Sequence, residues 1–194
     1  MDKRILLHVC CGPCAITTVM RLREMGYEVT AWFMNPNIQP LAEYLRRREA
    51  LEQCAARLNM PVIWEDAAWD ITAWLRQVAG VQDVAPRRCE LCCDMRMEAA
   101  WAKARELGFP AFSSSLLYSR YQPHEAIRRK GEQLAARPGG PAFVYRDFRE
   151  DWQRGIDLSK AWELYRQPYC GCVYSEAERY GKKLRRLMAP SEKK

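Results

Sequence analysis

The sequence predicts a single α/β domain with a mainly parallel sheet, and three observations carry that expectation. Short apolar runs alternate with longer helical patterns along the chain. Its 194 residues suit one compact domain, taken as 1–194, and leave little room for a second. A hydrophobic share of 48% beside 28% charged residues of both signs supplies a core and a soluble surface, which excludes disorder for the bulk.

Arg4 to Val9 (RILLHV) is an apolar run closed by Cys-Cys-Gly-Pro, so it reads as a buried first strand and a turn. Pro13 suits the first turn of a helix that runs to about Met25, with Gly26 as its cap. Glu28 to Met34 is a second strand, broken by Asn35-Pro36-Asn37. Leu41 to Leu58 is a long amphipathic helix, with Tyr44, Leu45, Ala55 and Leu58 on its inner side and basic residues on the other. Pro61 to Trp64 reads as a third strand and Trp69 to Val78 as a helix, before a turn at Gly80. Cys89 to Leu107 has no internal Gly or Pro and is rich in Ala, Met, Glu and Arg, which favours a helix ended by Gly108, with Cys89 and Cys92 on one face. A strand over Phe109 to Leu117, a helix over His124 to Ala136, an extended Phe143 to Tyr145, and helices over Lys160 to Arg166 and Glu176 to Leu187 complete the chain. Arg137 to Pro141 reads as a loop, and no internal repeat or low-complexity segment interrupts the order.

A parallel sheet places its site at the carboxyl ends of its strands. Cys10 and Cys11 follow the first strand and Ser113–Ser115 follow a later one, so both are expected at one crevice.

No apolar run approaches the roughly 18 residues needed to span a bilayer, and Met1 to Val9 runs straight into cysteines without a signal-peptide pattern. The expected location is therefore cytoplasmic, with no membrane partner. Lysine and arginine number 31 against 24 acidic residues, a net charge of +7. The basic residues cluster at Arg46–Arg48, Arg87–Arg88, Arg128–Lys130, Lys182–Arg186 and in a tail over 188–194. Such clusters fit a polyanion such as RNA, and equally fit solvated helix faces.

Nine cysteines exceed the structural needs of a cytosolic chain, where disulfides are rare. They fall into Cys10, Cys11 and Cys14, then Cys89, Cys92 and Cys93, then Cys170 and Cys172, with Cys54 alone. Thiolates bind zinc, copper(I) and iron–sulfur clusters, and the C-x-x-C of Cys89 and Cys92 lets two sulfurs reach one ion or cluster. Cys10 and Cys11, leaving a strand end, offer two more ligands, while some of these thiols are alternatively small buried hydrophobes, Cys54 above all. Cys170-Gly171-Cys172 leaves open metal ligation, a strained and labile disulfide, or an accident of composition. His8 and His124 are the only histidines; His8 reads as a core group and His124 as a helix-start residue. Asp94 and Asp147 are possible acids or ligands. Neither the P-loop nor the G-x-G-x-x-G pattern is present.

Larger blocks carry a resemblance. LLHVCCGPC at Leu6 to Cys14, NPNIQPLAEYLRRR at Asn35 to Arg48, RCELC at Arg88 to Cys92 with Arg96 following, SSLLYSRYQPHE at Ser114 to Glu125, DFR at Asp147 to Arg149 and LYRQPYCGCVYSEAERY at Leu164 to Tyr180 stand in order. Across about 4–180 the chain resembles the QueH-type epoxyqueuosine reductases. The resemblance implies a Rossmann-like, adenine nucleotide α-hydrolase-like fold used without ATP chemistry. It implies reductive deoxygenation of epoxyqueuosine in the tRNA wobble position to queuosine, with a [4Fe–4S] cluster and an additional adjacent iron. By motif, the cluster ligands carry over to Cys10, Cys11, Cys89 and Cys92 and the redox-active pair to Cys170 and Cys172; Cys14 matches the third cysteine of the opening motif and is a candidate for a role near the second iron. An electron donor of unnamed identity is a further implied partner. Tyr169, His124 and Asp94 are candidate proton donors; Arg47, Arg48, Arg166 and Arg179 are candidates for holding the anticodon arm, and Tyr44 or Tyr121 for stacking on a flipped nucleotide.

Two other readings use the same residues. A zinc- or cluster-stabilised tRNA-binding module without catalysis would use the thiolates as a closed site. An ATP-using tRNA-modifying enzyme would need an SGG-x-DS phosphate loop, where this chain has CCGPC.

Overall fold

The computed structural model describes residues 2–188. Its regular elements are β1 (Arg4–His8), α1 (Gly12–Glu24), β2 (Glu28–Phe33), α2 (Leu41–Leu58), β3 (Val62–Trp64), α3 (Ile71–Val78), α4 (Ala85–Glu106), β4 (Ala111–Ser114), α5 (His124–Ala135), β5 (Ala142–Phe143), α6 (Trp152–Ala161) and α7 (Val173–Met188). Most of the basic tail expected at 188–194 lies outside the described residues.

The strands form one all-parallel sheet in the order β3-β2-β1-β4-β5. β1 is central because its apolar run can be covered on both faces, and Ile5 to His8 are fully buried there. It pairs through Ile5 with Val29 on one side and Ala111 on the other. This is the doubly wound order, which turns about β1, so the crevice lies beyond the carboxyl ends of β1 and β4. His8 ties those two ends together, its Nδ1 lying 2.9 Å from the Ser114 Oγ. Gly12 lets α1 and α2 meet closely, since a Cβ on it would stand 2.2 Å from the carbonyl oxygen of Ala50.

Several boundaries differ from expectation. α4 begins at Ala85 rather than Cys89, because Pro86 lies in its first turn, where no N–H is needed. The strand expected to Leu117 stops at Ser114, whose side chain accepts from the Leu116 N–H and starts a 3₁₀ turn over Ser115–Tyr118. The helix expected over Lys160–Arg166 lies instead at Trp152–Ala161 and stops before Glu163, whose φ is +56°. β5 is confined to Ala142–Phe143. Within α2, Leu45 faces outward at 51% exposure: the buried stripe runs through Tyr44, Arg47, Leu51, Cys54 and Ala55, and Leu45 falls outside that face. No helix among the described residues is long and apolar enough to cross a membrane.

Candidate functional site

The segment Val9–Cys11 crosses the carboxyl edge of the sheet between β1 and α1, and Cys14 lies in the first turn of the helix. The sulfurs of Cys10, Cys11 and Cys14 all fall within 4.8 Å of one another. Cys11 and Cys14 are buried and Cys10 half-buried. Two polar side chains serve this triad. Ser115 accepts from the Cys10 N–H at 3.2 Å and directs its hydroxyl to Cys10 Sγ at 3.7 Å. Gln167 Nε2 donates to Cys11 Sγ at 3.0 Å and Cys14 Sγ at 3.8 Å. Donation from the Cys11 and Cys14 thiols, helped by the Arg47 charge, draws Cys10 well below the ordinary thiol range, while burial holds Cys11 above it. The triad therefore ionises first at Cys10. A buried group of soft donors is what thiophilic metals and iron–sulfur clusters require, and these residues fit such a group.

A second set of thiols stands nearby. Cys89 and Cys92, one turn apart on α4, line a pocket with Cys170 and Cys172 from the segment before and at the start of α7. Arg96 is common to both sets: its charge acts on Cys92, Cys93 and Cys170, and on Cys10. It is buried and forms no ion pair with a carboxylate among the described residues; its Nε donates to the Cys92 carbonyl oxygen at 3.1 Å and Nη2 to Cys93 Sγ at 3.5 Å. A guanidinium held among sulfurs favours their ionised forms and compensates the negative charge of any thiolate-bound centre. Gln122 bridges two thiols, donating through Nε2 to Cys170 Sγ at 3.2 Å and accepting from Cys93 Sγ at 3.5 Å.

The Cys170–Cys172 segment is fixed from α2 and the loop before it. Arg47, 1% exposed, pairs with Glu43 at 2.7 Å and donates to the carbonyl oxygens of Tyr169 at 2.9 Å and Cys170 at 2.8 Å. The Gln39 N–H donates to the Gly171 carbonyl oxygen at 2.7 Å, and the Tyr169 hydroxyl donates to the Gln39 carbonyl oxygen at 2.8 Å. Gly171 has φ +134°, a conformation that side-chain-bearing residues rarely adopt, and a Cβ on it would stand 3.1 Å from both Arg47 Nη1 and Ile38.

The structure thus gathers Cys10, Cys11 and Cys14 into one group and Cys89, Cys92, Cys170 and Cys172 around one pocket. All nine cysteines are free, including the Cys170 and Cys172 pair for which a disulfide was one expectation. Cys93, without an assigned role in the sequence, lies buried between Arg96 and Gln122. Two nucleic-acid candidates are corrected. Arg47 is an internal clamp, because its fork is spent on Glu43 and two carbonyls. Tyr44 is buried with its hydroxyl on Asp66 at 2.7 Å and has no face for a base. Tyr121 is 84% exposed, while Arg166 and Arg179 lie on the surface. His124 is the first residue of α5, as expected, and is buried, with Nε2 3.2 Å from the Tyr145 hydroxyl. Burial pushes half-buried Asp94 above the ordinary carboxylate range. Arg96, Gln122 and Gln167 were missed as site residues; their signal was that each is a polar residue inside or just after a cysteine-bearing or crevice-edge block.

The family model described as Epoxyqueuosine reductase QueH matches residues 5–178. The chain is 36% identical over 182 residues to the epoxyqueuosine reductase QueH of Dehalococcoides mccartyi, covering 94% of this chain and 97% of that one. It is 38% identical over 181 residues to that of Histophilus somni, covering 89% and 72%. To that of Thermotoga maritima it is 36% identical over 180 residues, covering 90% and 91%.

Proposed function

The chain belongs to the epoxyqueuosine reductase QueH family, and from that premise we propose that it reduces epoxyqueuosine in the wobble position of tRNA to queuosine. The epoxide takes up two electrons and two protons, its oxygen leaves as water, and an alkene remains. The observation that supports this reading within the fold is the convergence of eight of the nine cysteines, Cys54 excepted, on the Arg96 guanidinium and the crevice beyond β1.

In this reading Cys10, Cys11, Cys89 and Cys92 hold a [4Fe–4S] cluster, and Cys14 lies by an additional iron. Such a centre supplies one-electron transfer and Lewis acidity when bound. Arg96 offsets the negative charge of the surrounding sulfurs. Cys170 and Cys172 give up two electrons and two protons on closing to a disulfide, which an external electron donor reopens. Arg47 and Gln39 hold that segment against the crevice, so the thiols meet the site without a search through loop conformations. The tRNA partner is held electrostatically through surface cations such as Arg166 and Arg179. Tyr121 offers an exposed face that rests edge-on against Trp152, ready for a nucleobase. A soluble, cytoplasmic setting fits this substrate.

Anaerobic purification followed by visible absorption and iron and sulfide analysis tests the metal assignment. The protein is expected to be brown, and Cys10→Ala and Cys92→Ala to lose iron. A colourless, zinc-loaded protein that binds tRNA and converts nothing after cluster reconstitution would favour the non-catalytic binding module.

A further inference from the structure

The pocket of Cys89, Cys92, Cys170 and Cys172 carries polar atoms that nothing in the protein satisfies. Asn37 and Trp74 are each 1% exposed and Arg88 is 4% exposed, and all three line it. The Oδ1 of Asn37, the Nε1 of Trp74 and the Nε of Arg88 are buried without a hydrogen-bond partner. Buried polar groups are nearly always paired, so three orphans around one pocket mark a place where another molecule completes the bonding.

The kinds of atom involved narrow the ligand. Trp74 and Arg88 offer N–H donors, whereas Asn37 Oδ1 offers only an acceptor. Thiolate and sulfide sulfur accept hydrogen bonds but donate none, so a metal–sulfur centre would answer Trp74 and Arg88 and leave Asn37 unpaired. A hydroxyl group both donates and accepts and would answer all three. Asn37 is buried in the turn between β2 and α2, a segment anchored by Asn35, whose Nδ2 donates to the Val9 carbonyl oxygen at 2.9 Å and whose own carbonyl oxygen accepts from the Ile38 N–H at 3.3 Å. Trp74 is held on α3 with its ring 6.1 Å from that of Tyr174. The polar atoms are therefore pre-positioned on packed elements.

We propose that Asn37 and Trp74 are specificity-determining residues that hydrogen-bond the hydroxyl-bearing substituent of the modified wobble base, so that the enzyme distinguishes modified from unmodified tRNA within this pocket. This rests on the reductase reading above. A site built to bond a hydroxyl rejects a ligand lacking it, because its own polar atoms then stay buried and unpaired.

The test is equilibrium binding, without reductant, of anaerobically purified protein to one tRNA carrying either epoxyqueuosine or guanine in the wobble position. Wild type is expected to prefer the modified tRNA. Asn37→Leu and Trp74→Phe should each lower that preference about tenfold, with affinity for the guanine form, iron content and thermal melting retained. An unchanged preference, or an equal loss for both tRNAs, would overturn the proposal. So would loss of iron with an intact preference, which would assign these atoms to the metal centre. Wild type that converts epoxyqueuosine while both variants keep its preference refutes this inference alone; wild type with no preference and no conversion refutes the reductase reading as well.

Discussion

Arg47 of α2 donates through Nη1 to the carbonyl oxygen of Cys170 at 2.8 Å, joining the core of the domain to the segment that carries the Cys170 and Cys172 thiols. The same guanidinium pairs with Glu43, and both side chains are at most 5% exposed. Removing one partner of a buried pair leaves the other charge uncompensated, at a cost of roughly 3–5 kcal/mol. Arg47→Ala should therefore lower the unfolding free energy by about that amount in a denaturant titration. Adding Glu43→Gln to it should recover part of the loss, since the stranded carboxylate is then gone.

Gly171 makes a narrower version of the same test. A Cβ at φ +134° is strained and would press on Arg47 and Ile38 at 3.1 Å. Holding a residue in such a region costs on the order of 1–3 kcal/mol. Gly171→Ala should shift the Cys170–Cys172 segment rather than unfold the domain. Faster alkylation of Cys172 with only a modest drop in melting temperature is the expected outcome.

Thiol reactivity should rank the cysteines by place in the fold. Cys170 is exposed, whereas Cys54 is fully buried in the core and burial pushes its thiol up to about 12. In native protein stripped of metal, a maleimide should modify exposed Cys170 and the readily ionised Cys10 ahead of Cys54, as read by peptide mass. Cys54→Ala should retain wild-type iron content and conversion, because Cys54 stands apart from both thiol groups.

His124 predicts a component of acid sensitivity. Burial, followed by the Arg149 charge, lowers its imidazole below the ordinary 6.5. The unfolded chain thus binds a proton at pH values where the folded chain does not, so stability falls as the pH drops below about 6.5 and continues to fall down to the lowered folded value. Above 6.5 this group contributes no slope. His124→Gln should flatten that part of the pH profile of the melting temperature while leaving neutral-pH behaviour near wild type.

Much of this architecture was legible in the chain. α2 falls at Leu41–Leu58, as its apolar spacing and flanking Pro40 and Asn59 indicate, and the strand-end placement of Cys10 and Cys11 follows from RILLHV alone. What escaped depends on tertiary contacts. α6 carries Gly155, a poor helix residue, because Tyr118 occupies the space its side chain would need: a Cβ there would lie 2.2 Å from the hydroxyl oxygen. Arg47, Arg88 and Arg96 look like surface cations by type, and only the folded chain shows them buried against carbonyls, Glu178 and thiols. Charge patterning along α2 placed Arg47 on the solvated side, whereas the 3.6-residue period puts it three positions from Tyr44 on the inner face.

The most direct test of the account is turnover followed by nucleoside mass. Anaerobic, iron-replete protein is given reductant and tRNA carrying epoxyqueuosine, and the digested nucleosides are weighed over time. The account predicts loss of one oxygen from the modified nucleoside, giving queuosine, with conversion abolished in Cys10→Ala. An unchanged epoxyqueuosine mass in the presence of iron-loaded wild-type protein and reductant would contradict it.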